Sequence, residues 1–174
     1  MEYRLNLPLK EADILKLKIG DKVLLSGTMY TARDAAHKRL IQLLDENKKL
    51  PFELEGQTIY YTGPCETKEG MAIGACGPTT SYRMDKFTPR LLDLGLKAMI
   101  GKGKRSSEVV DSMVKNRCVY FSATGGAAAL YAKTVTSCKV IAFEELLSEA
   151  VREIIVKDFP VIVAIDSGGN SLYK

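Results

Sequence analysis

Strand-like and helix-like segments alternate along the chain from about residue 80 onward. Short runs rich in β-branched and aromatic residues, such as CVYFSAT, predict strands, whereas SSEVVDSMVKN has helical spacing behind a serine cap. In a strand–helix–strand unit, the helix carries the chain back across the sheet, so that the next strand runs parallel to the first. This order therefore predicts an α/β domain with a largely parallel sheet flanked by helices. DKVLLSG and QTIYYTGP, nearer the N-terminus, predict further strands, so we expect a mixed sheet or two small sheets.

Three further segments are predicted to be helical. Residues 31–49 place apolar side chains on one helical face, with Thr31 as the N-cap, and a second helix is expected over residues 80–94. Pro89 interrupts that second helix and indicates a bend or a late start. Residues 144–156 are strongly amphipathic at helical spacing, which predicts a third helix, followed by a final strand at FPVIVAIDSGG.

The composition is that of one globular domain. The 174 residues are 46% hydrophobic and contain no long linker, so residues 1–174 are expected to form a single domain. There is no run of about 20 apolar residues for a membrane span and no signal-peptide pattern, which predicts a cytoplasmic protein. The net charge of +4 comes from 25 basic and 21 acidic residues that are well mixed, so nucleic-acid binding is not expected.

The four cysteines lie far apart and form no C-x-x-C pair, which argues against a zinc site or a disulfide framework and predicts reduced thiols. Cys118 and Cys138 stand in apolar stretches and are expected to be buried. Cys65 and Cys76 lie in glycine-rich loops, and their role stays open. Cys76 is a weak candidate nucleophile, because the single histidine is far away in sequence.

Polar residues are concentrated at three predicted strand-to-helix junctions, SGTMYTARDAAH, CGPTTSYRMD and IGKGKRSS. Ligands of α/β sheets collect at such junctions, where helix N-termini offer free N–H donors, so we predict an anion site. Thr79 and Arg83 are four residues apart, which would place both on one helical face. The alternative is that Thr79 or Thr80 only caps the helix while Arg83 pairs with Asp85 or another surface carboxylate.

The other two junctions supply three more candidate site residues. The planar guanidinium group of Arg33 matches the geometry of a ligand carboxylate, although Arg33 could instead pair with Asp34 or Glu46 of this chain. His37, the single histidine, is either structural or positions a proton or a neighbouring side chain. Lys102 lies between two glycines, whose flexible backbone would let its side chain extend towards a ligand. The alternative is that the loop is only a solvated turn. The spacing of those glycines does not match an ATP-binding P-loop.

Together, SGTMYTARDAAHKR, GPTTSYRMD, IGKGKRS and the tail VKDFPVIVAIDSGGNSLY resemble the C-terminal domain of class I, iron-sulfur-dependent fumarate hydratases and L(+)-tartrate dehydratases. The resemblance extends from about Leu5 to Tyr173. It implies a swivelling β/β/α domain, which many members of the family carry as a separate small (beta) subunit. It also implies a larger alpha subunit as partner, in a dimer of heterodimers. The family's [4Fe-4S] cluster is held by three cysteines of that alpha subunit, not by this chain.

The resemblance assigns site residues motif by motif. Arg33, Arg83 and Lys102 correspond to residues that bind the substrate's carboxylates, and Thr79 corresponds to the residue proposed as catalytic base, helped by an aspartate of the alpha subunit. A free threonine is too weak an acid for that role at neutral pH unless nearby charges activate it. Family members often have GKGN where this chain has GKGK, which leaves open whether Lys102 or Lys104 contacts the ligand. No residue is predicted to bind a metal.

The resemblance predicts a hydro-lyase that is active only with its alpha subunit and catalyses the reversible hydration of fumarate to (S)-malate. Dehydration of L(+)-tartrate to oxaloacetate is the alternative, since both substrates are four-carbon dicarboxylates and no residue here separates them. Fumarate is preferred as the substrate of the more widespread activity. Two hypotheses of other classes remain: a non-catalytic anion-binding module, and a self-contained enzyme that uses Cys76.

Overall fold

One mixed sheet of seven strands organises the structure, a computed structural model that describes all residues, 1–174. The elements in chain order are β1 Glu2–Asn6, α1 Glu11–Lys16, β2 Lys22–Thr31, α2 Asp34–Asp45, β3 Thr58–Tyr60, a 3₁₀ helix Ser81–Met84, α3 Thr88–Asp93, β4 Ala98–Gly101, α4 Ser107–Asn116, β5 Val119–Ser122, α5 Ala128–Thr134, β6 Val135–Ala142, a 3₁₀ helix Glu144–Glu149 and β7 Val151–Ile165. None of the helices has both the length and the hydropathy that crossing a membrane requires.

Strands β1 to β5 pair in chain order, each parallel to the next, and β7 closes the sheet. One edge of β7 runs antiparallel to β2, and its other edge pairs with β6 and then with β5. Strands β2, β3, β4, β5 and β7 therefore form a closed, barrel-like ring. The predicted mixed α/β fold is confirmed, although the sheet is less parallel than expected, with four parallel and three antiparallel pairings. A swivelling movement of the domain stays a prediction.

Both faces of the ring are apolar because successive residues of a strand point to opposite sides. On β4, Met99 belongs to a core cluster with Leu40 of α2 and Met113 of α4, which cover the outer face. Its neighbour Ile100 belongs to a second cluster on the opposite face, with Phe159 of β7. A sheet covered on both faces explains why β4 and β5 read as short, continuous apolar runs.

Helix α2 forms where the sequence predicts it, but its N-terminus differs. Thr31 is the last residue of β2, and its hydroxyl accepts the backbone N–H of Arg152 (3.2 Å), so the expected Thr31 cap is wrong. Arg33 occupies the N-cap position without a side-chain cap. Glu149, from the second 3₁₀ helix, accepts the N–H of Ala35 instead (3.2 Å). A distant carboxylate thus satisfies a donor that a local threonine was expected to satisfy.

The single helix predicted over residues 80–94 is two separate pieces. Ser81–Met84 forms a 3₁₀ helix, and α3 begins only at Thr88, with Pro89 in its first turn. Proline fits there because its missing N–H would have no helical partner at that position. The late start that Pro89 indicated is confirmed, whereas the continuous helix is wrong.

The helix predicted over residues 144–156 is also wrong. Glu144–Glu149 forms a 3₁₀ helix, and Leu147 inside it has a non-helical φ of 55° and ψ of −116°. Strand β7 begins at Val151, with Ile154 and Val156 buried and Ile155 between them exposed. Pairing with β2 and β6 therefore overrides the helical spacing, because β-branched residues pack well on a pleated surface.

Candidate active site

The three predicted junctions lie at one edge of the sheet. Arg33 follows the end of β2, Thr79 ends the long loop after β3, and Lys102 follows β4. Because β2, β3 and β4 are parallel neighbours, their carboxyl ends meet at this edge. Backbone bonds join the last two junctions directly, as Thr80 and Lys102 form an isolated parallel bridge.

Thr79 belongs to an extended loop that is fixed from both sides. Its N–H donates to the carbonyl of Tyr61 (2.7 Å), and the Thr62 hydroxyl donates to the carbonyl of Gly77 (2.7 Å). Since the 3₁₀ helix starts only at Ser81, Thr79 does not share a helical face with Arg83, and that expectation is wrong. The 3₁₀ helix has no side-chain cap either. The loop thus presents Thr79 on a rigid backbone.

Ser81 links the loop that carries Thr79, residues 61–80 (the threonine loop), to the loop that carries Lys102, residues 102–106 (the lysine loop). Sequence reasoning missed this role. The Ser81 Oγ accepts the N–H of Lys102 (3.0 Å), and the N–H of Ser81 donates to the Lys102 carbonyl (2.9 Å). Tyr120 places its hydroxyl 2.8 Å from the same Oγ. The two loops approach so closely that a Cβ on Gly101 would lie 2.0 Å from Ser81 Oγ. The only sequence signal for this contact was a glycine at the end of a strand.

The two lysines of the third junction point to different surroundings. Both side chains are exposed. Lys104 lines a basic groove of about 830 Å³ together with Arg83 and Lys86, whereas Lys102 does not line it and lies beside Thr80. The structure therefore gives each lysine a candidate role, with Lys102 nearer to the threonine loop and Lys104 nearer to Arg83.

Arg33 and Arg83 converge on a carboxylate of this chain. Arg83 Nε donates to Asp34 Oδ1 at 2.9 Å, and Arg33 Nε lies 3.9 Å from Asp34 Oδ2 and 4.0 Å from Glu149 Oε1. Arg83 therefore pairs with a surface carboxylate, as the alternative reading expected, but that carboxylate is Asp34 and not Asp85. The Arg33 Nε and Asp34 Oδ2 atoms are buried without a hydrogen bond. Beside them, Asp34, Arg83, Lys86 and Glu149 line a smaller cavity of about 290 Å³.

His37 fixes the backbone at Arg33 and is not a solvent-accessible acid or base. Its Nδ1–H donates to the carbonyl of Arg33 at 2.8 Å, which assigns the tautomer because a carbonyl can only accept. The ring is fully buried, between Tyr61 and Phe87. Burial lowers the pKa of His37 to about 4, so the ring is neutral at physiological pH. The structure therefore favours the structural reading of His37, which holds the backbone of Arg33.

The whole chain, residues 1–174, matches the family described as Fumarase C-terminus. The chain belongs to this family. A Methanocaldococcus jannaschii protein provisionally named L(+)-tartrate dehydratase subunit beta is 42% identical over 180 residues, a match that covers 100% of this chain and 92% of that protein. The resemblance that the motifs indicated is therefore confirmed.

Longer relatives carry the same domain as one part of their chain. Fumarate hydratase 2 of Leishmania major is 39% identical over 158 residues, which cover 90% of this chain and 28% of that enzyme. The aerobic class I fumarate hydratase of Escherichia coli K12 is 36% identical over 174 residues, covering 98% of this chain and 32% of the enzyme. This chain thus spans about a third of the fumarate hydratases it matches. The named relatives are hydro-lyases.

Arg105, in the lysine loop of this fumarase C-terminal domain, is a buried clamp that sequence reasoning also missed. Its side chain is fully buried, with Nε 2.7 Å from Asp85 Oδ1 and Nη2 donating to the Tyr61 and Thr88 hydroxyls (3.2 and 3.0 Å). Asp85 also accepts the N–H of Ser106 (2.6 Å) at the start of α4. These bonds tie the segment after the first 3₁₀ helix to the lysine loop, so they hold Arg83 and Lys102 in one framework.

Burial excludes Cys76 and Cys118 as thiolate nucleophiles. Cys76 and Cys118 are buried, as expected for Cys118, and burial raises the pKa of each thiol to about 12. Cys138 is only partly buried, so its expected burial is wrong in degree, and Cys65 is exposed. No group of three or more histidine, cysteine, aspartate or glutamate side chains is arranged to hold a metal ion. A thiolate at Cys76 is therefore unavailable at neutral pH.

Proposed function

We propose that this chain is the small (beta) subunit of an iron-sulfur hydro-lyase that catalyses the reversible hydration of fumarate to (S)-malate. Membership of the Fumarase C-terminus family supports a hydro-lyase of this kind. The observation that carries the proposal is the convergence of Arg33 and Arg83 on one carboxylate, beside the threonine and lysine loops. Cations collected in this way suit a substrate with two carboxylates.

In this proposal Arg33, Arg83 and Lys102 bind the substrate's carboxylates. Removal of a proton next to a carboxylate builds up negative charge, and cations already fixed in place stabilise that charge without reorganising. Thr79 is the proposed base. Thr79 is partly exposed, and its hydroxyl makes no hydrogen bond within the chain, so it is free to meet the substrate. Activation has to come from the lysine loop and from a carboxylate of the partner.

The proposal requires a partner subunit that carries a [4Fe-4S] cluster. The cysteines of this chain do not fit as ligands, because two are buried with raised pKa values and no three converge. The basic groove and the cavity beside Asp34 are both open, as expected for half of a site that another subunit covers. A dimer of heterodimers and a cytoplasmic location belong to the same proposal.

L(+)-tartrate is the second candidate substrate, and one observation favours it. The Methanocaldococcus jannaschii relative, whose length this chain nearly matches, carries the tartrate dehydratase name, whereas the fumarate hydratases are about three times longer. Tartrate differs from malate by one hydroxyl, and none of the cations on this chain would distinguish the two. Discrimination would then belong to the partner subunit.

Anaerobic co-expression with a cluster-bearing alpha subunit tests the proposal. The complex should be brown and should interconvert fumarate and (S)-malate or dehydrate L(+)-tartrate, while the isolated chain should be colourless and inactive. Fumarate, malate and both tartrate enantiomers are assayed side by side to identify the substrate. A chain that binds dicarboxylates but forms no complex would support the non-catalytic anion-binding module instead. Activity of the isolated chain that is lost in Cys76→Ser would support the cysteine enzyme.

A further inference from the structure

Asp34 is the one acidic side chain that contacts both substrate-binding arginines of the proposed site. It accepts from Arg83 Nε at 2.9 Å with Oδ1 and lies 3.9 Å from Arg33 Nε with Oδ2. Both contacts use the Nε edge of a guanidinium. Asp34 thus lies between the two arginines and not in front of them.

The outer nitrogens of both arginines are left free by this arrangement. Neither Arg33 nor Arg83 hydrogen-bonds to the protein through Nη1 or Nη2, and of the Arg33 side-chain nitrogens only Nε is buried without a partner. The Arg33 and Arg83 side chains are 26% and 46% exposed. Each guanidinium therefore keeps a pair of parallel donors that a ligand carboxylate can reach, which is the geometry of bidentate recognition.

The contact between Arg33 and Asp34 is incomplete. Arg33 Nε and Asp34 Oδ2 are both buried and unpaired, and their separation of 3.9 Å is too long for a hydrogen bond. A shift of about 1 Å would pair both atoms and remove the cost of leaving them unsatisfied. Glu149, 4.0 Å from the same nitrogen, is already engaged by the N–H of Ala35.

We propose that Asp34 is a positioning residue that sets the spacing of Arg33 and Arg83, so that their free donor pairs receive the two carboxylates of one substrate. This inference rests on the proposed function, because it takes the two arginines as the carboxylate-binding residues. On binding, Arg33 Nε closes on Asp34 Oδ2 and completes the bridge. Asp34 itself does not touch the substrate.

The test compares Asp34→Ala and Asp34→Asn with Asp45→Ala in the complex with the alpha subunit. Asp45 lies at the other end of α2 and pairs with Arg90, so its removal controls for the loss of a paired carboxylate from this helix. Asp34→Ala should raise KM for the dicarboxylate about 10-fold, since misplaced binding groups cost this much or more, with a smaller change in kcat. Asp34→Asn keeps only one acceptor oxygen and should be intermediate, and Asp45→Ala should be unchanged.

A second readout separates positioning from stabilisation of the helix. Asp34→Ala should weaken inhibition by a dicarboxylate such as succinate about 10-fold and leave inhibition by a monocarboxylate such as propionate nearly unchanged, because only the two-point contact depends on spacing. In the isolated chain, the Arg83 Nε–H signal should exchange slowly with solvent and lose this protection in Asp34→Ala. A variant that melts earlier but keeps KM and this selectivity would overturn the inference.

Two further outcomes would also overturn the inference that Asp34 positions the two arginines. A lower KM in Asp34→Ala would mean that Asp34 competes with the substrate. An Arg83→Ala variant with a raised KM alongside an Asp34→Ala variant with a normal KM would reject the inference and leave the proposed function intact. If Arg83→Ala itself keeps a normal KM, the proposed function fails first.

Discussion

The titration of His37 provides a clean test of the structure, since it is the only histidine in the chain. Burial lowers its pKa from the ordinary 6.5 to about 4, outweighing the hydrogen bond to the Arg33 carbonyl, which raises it. Unfolding exposes the ring and restores the ordinary pKa. Below pH 6.5, His37 therefore binds a proton in the unfolded chain but stays neutral in the folded chain until the pH approaches 4.

The sign and size of the effect follow from this difference. The contribution of His37 to the free energy of unfolding is fully present above pH 6.5. It falls as the pH drops towards 4, by up to about 1.4 kcal/mol per pH unit, because the unfolded state binds one extra proton. Between pH 7 and pH 5 the free energy of unfolding should fall by about 2 kcal/mol. Most carboxylates titrate below this window, so His37 dominates it.

Urea unfolding of the isolated chain at pH 7, 6 and 5 measures this slope directly. His37→Asn is the matched control, because its amide keeps a donor near the Nδ1 position and does not titrate. The variant should lose the pH dependence of its stability over this window, whatever its stability at pH 7. A wild-type protein whose stability is unchanged between pH 7 and pH 5 would refute the buried, neutral His37.

Two glycine substitutions test how the site is assembled. Gly101→Ala places a Cβ 2.0 Å from Ser81 Oγ and should cost about 1–3 kcal/mol in urea unfolding, whereas Gly125→Ala, with no atom within 4 Å, should be nearly neutral. Equal stabilities would contradict the close docking of the two loops. Gly63→Ala places a Cβ 3.0 Å from Arg33 Cδ and should raise the complex's KM about 5-fold; an unchanged KM would argue against a substrate contact at Arg33.

Local signals in the sequence predicted the elements that depend on local physics. The serine cap of α4 is an example, since Ser106 accepts the N–H of Val109 (3.3 Å) as its position before the helix indicated. β7 is the opposite case. Its second half was predicted as a strand, but residues 151–156 have helical spacing, and pairing with β2, more than 100 residues earlier, helps to make them part of the strand that closes the sheet. No local pattern carries that information.

The same division applies to the candidate site. Arg33, Arg83 and Lys102 could be selected because cations beside glycines and helix starts are unusual in a sequence. Asp34 could be named as a possible partner of Arg33, but its pairing with Arg83 could not be predicted, because the two residues meet across 49 residues of chain. The burial of Arg105 could not be predicted either, since sequence alone gives no reason to expect a fully buried arginine in a basic loop.

The most direct test of a shared dicarboxylate site compares kcat/KM of Arg83→Ala with that of Arg90→Ala, each in complex with a cluster-bearing alpha subunit. Both arginines pair with an aspartate of α2 and are similarly exposed, but only Arg83 lies at the candidate site. Arg83→Ala should lower kcat/KM about 100-fold, the value of a charge-assisted contact to a carboxylate, and Arg90→Ala should change it less than about 2-fold. An active complex in which the two variants are equally affected, or equally unaffected, would contradict the proposed site.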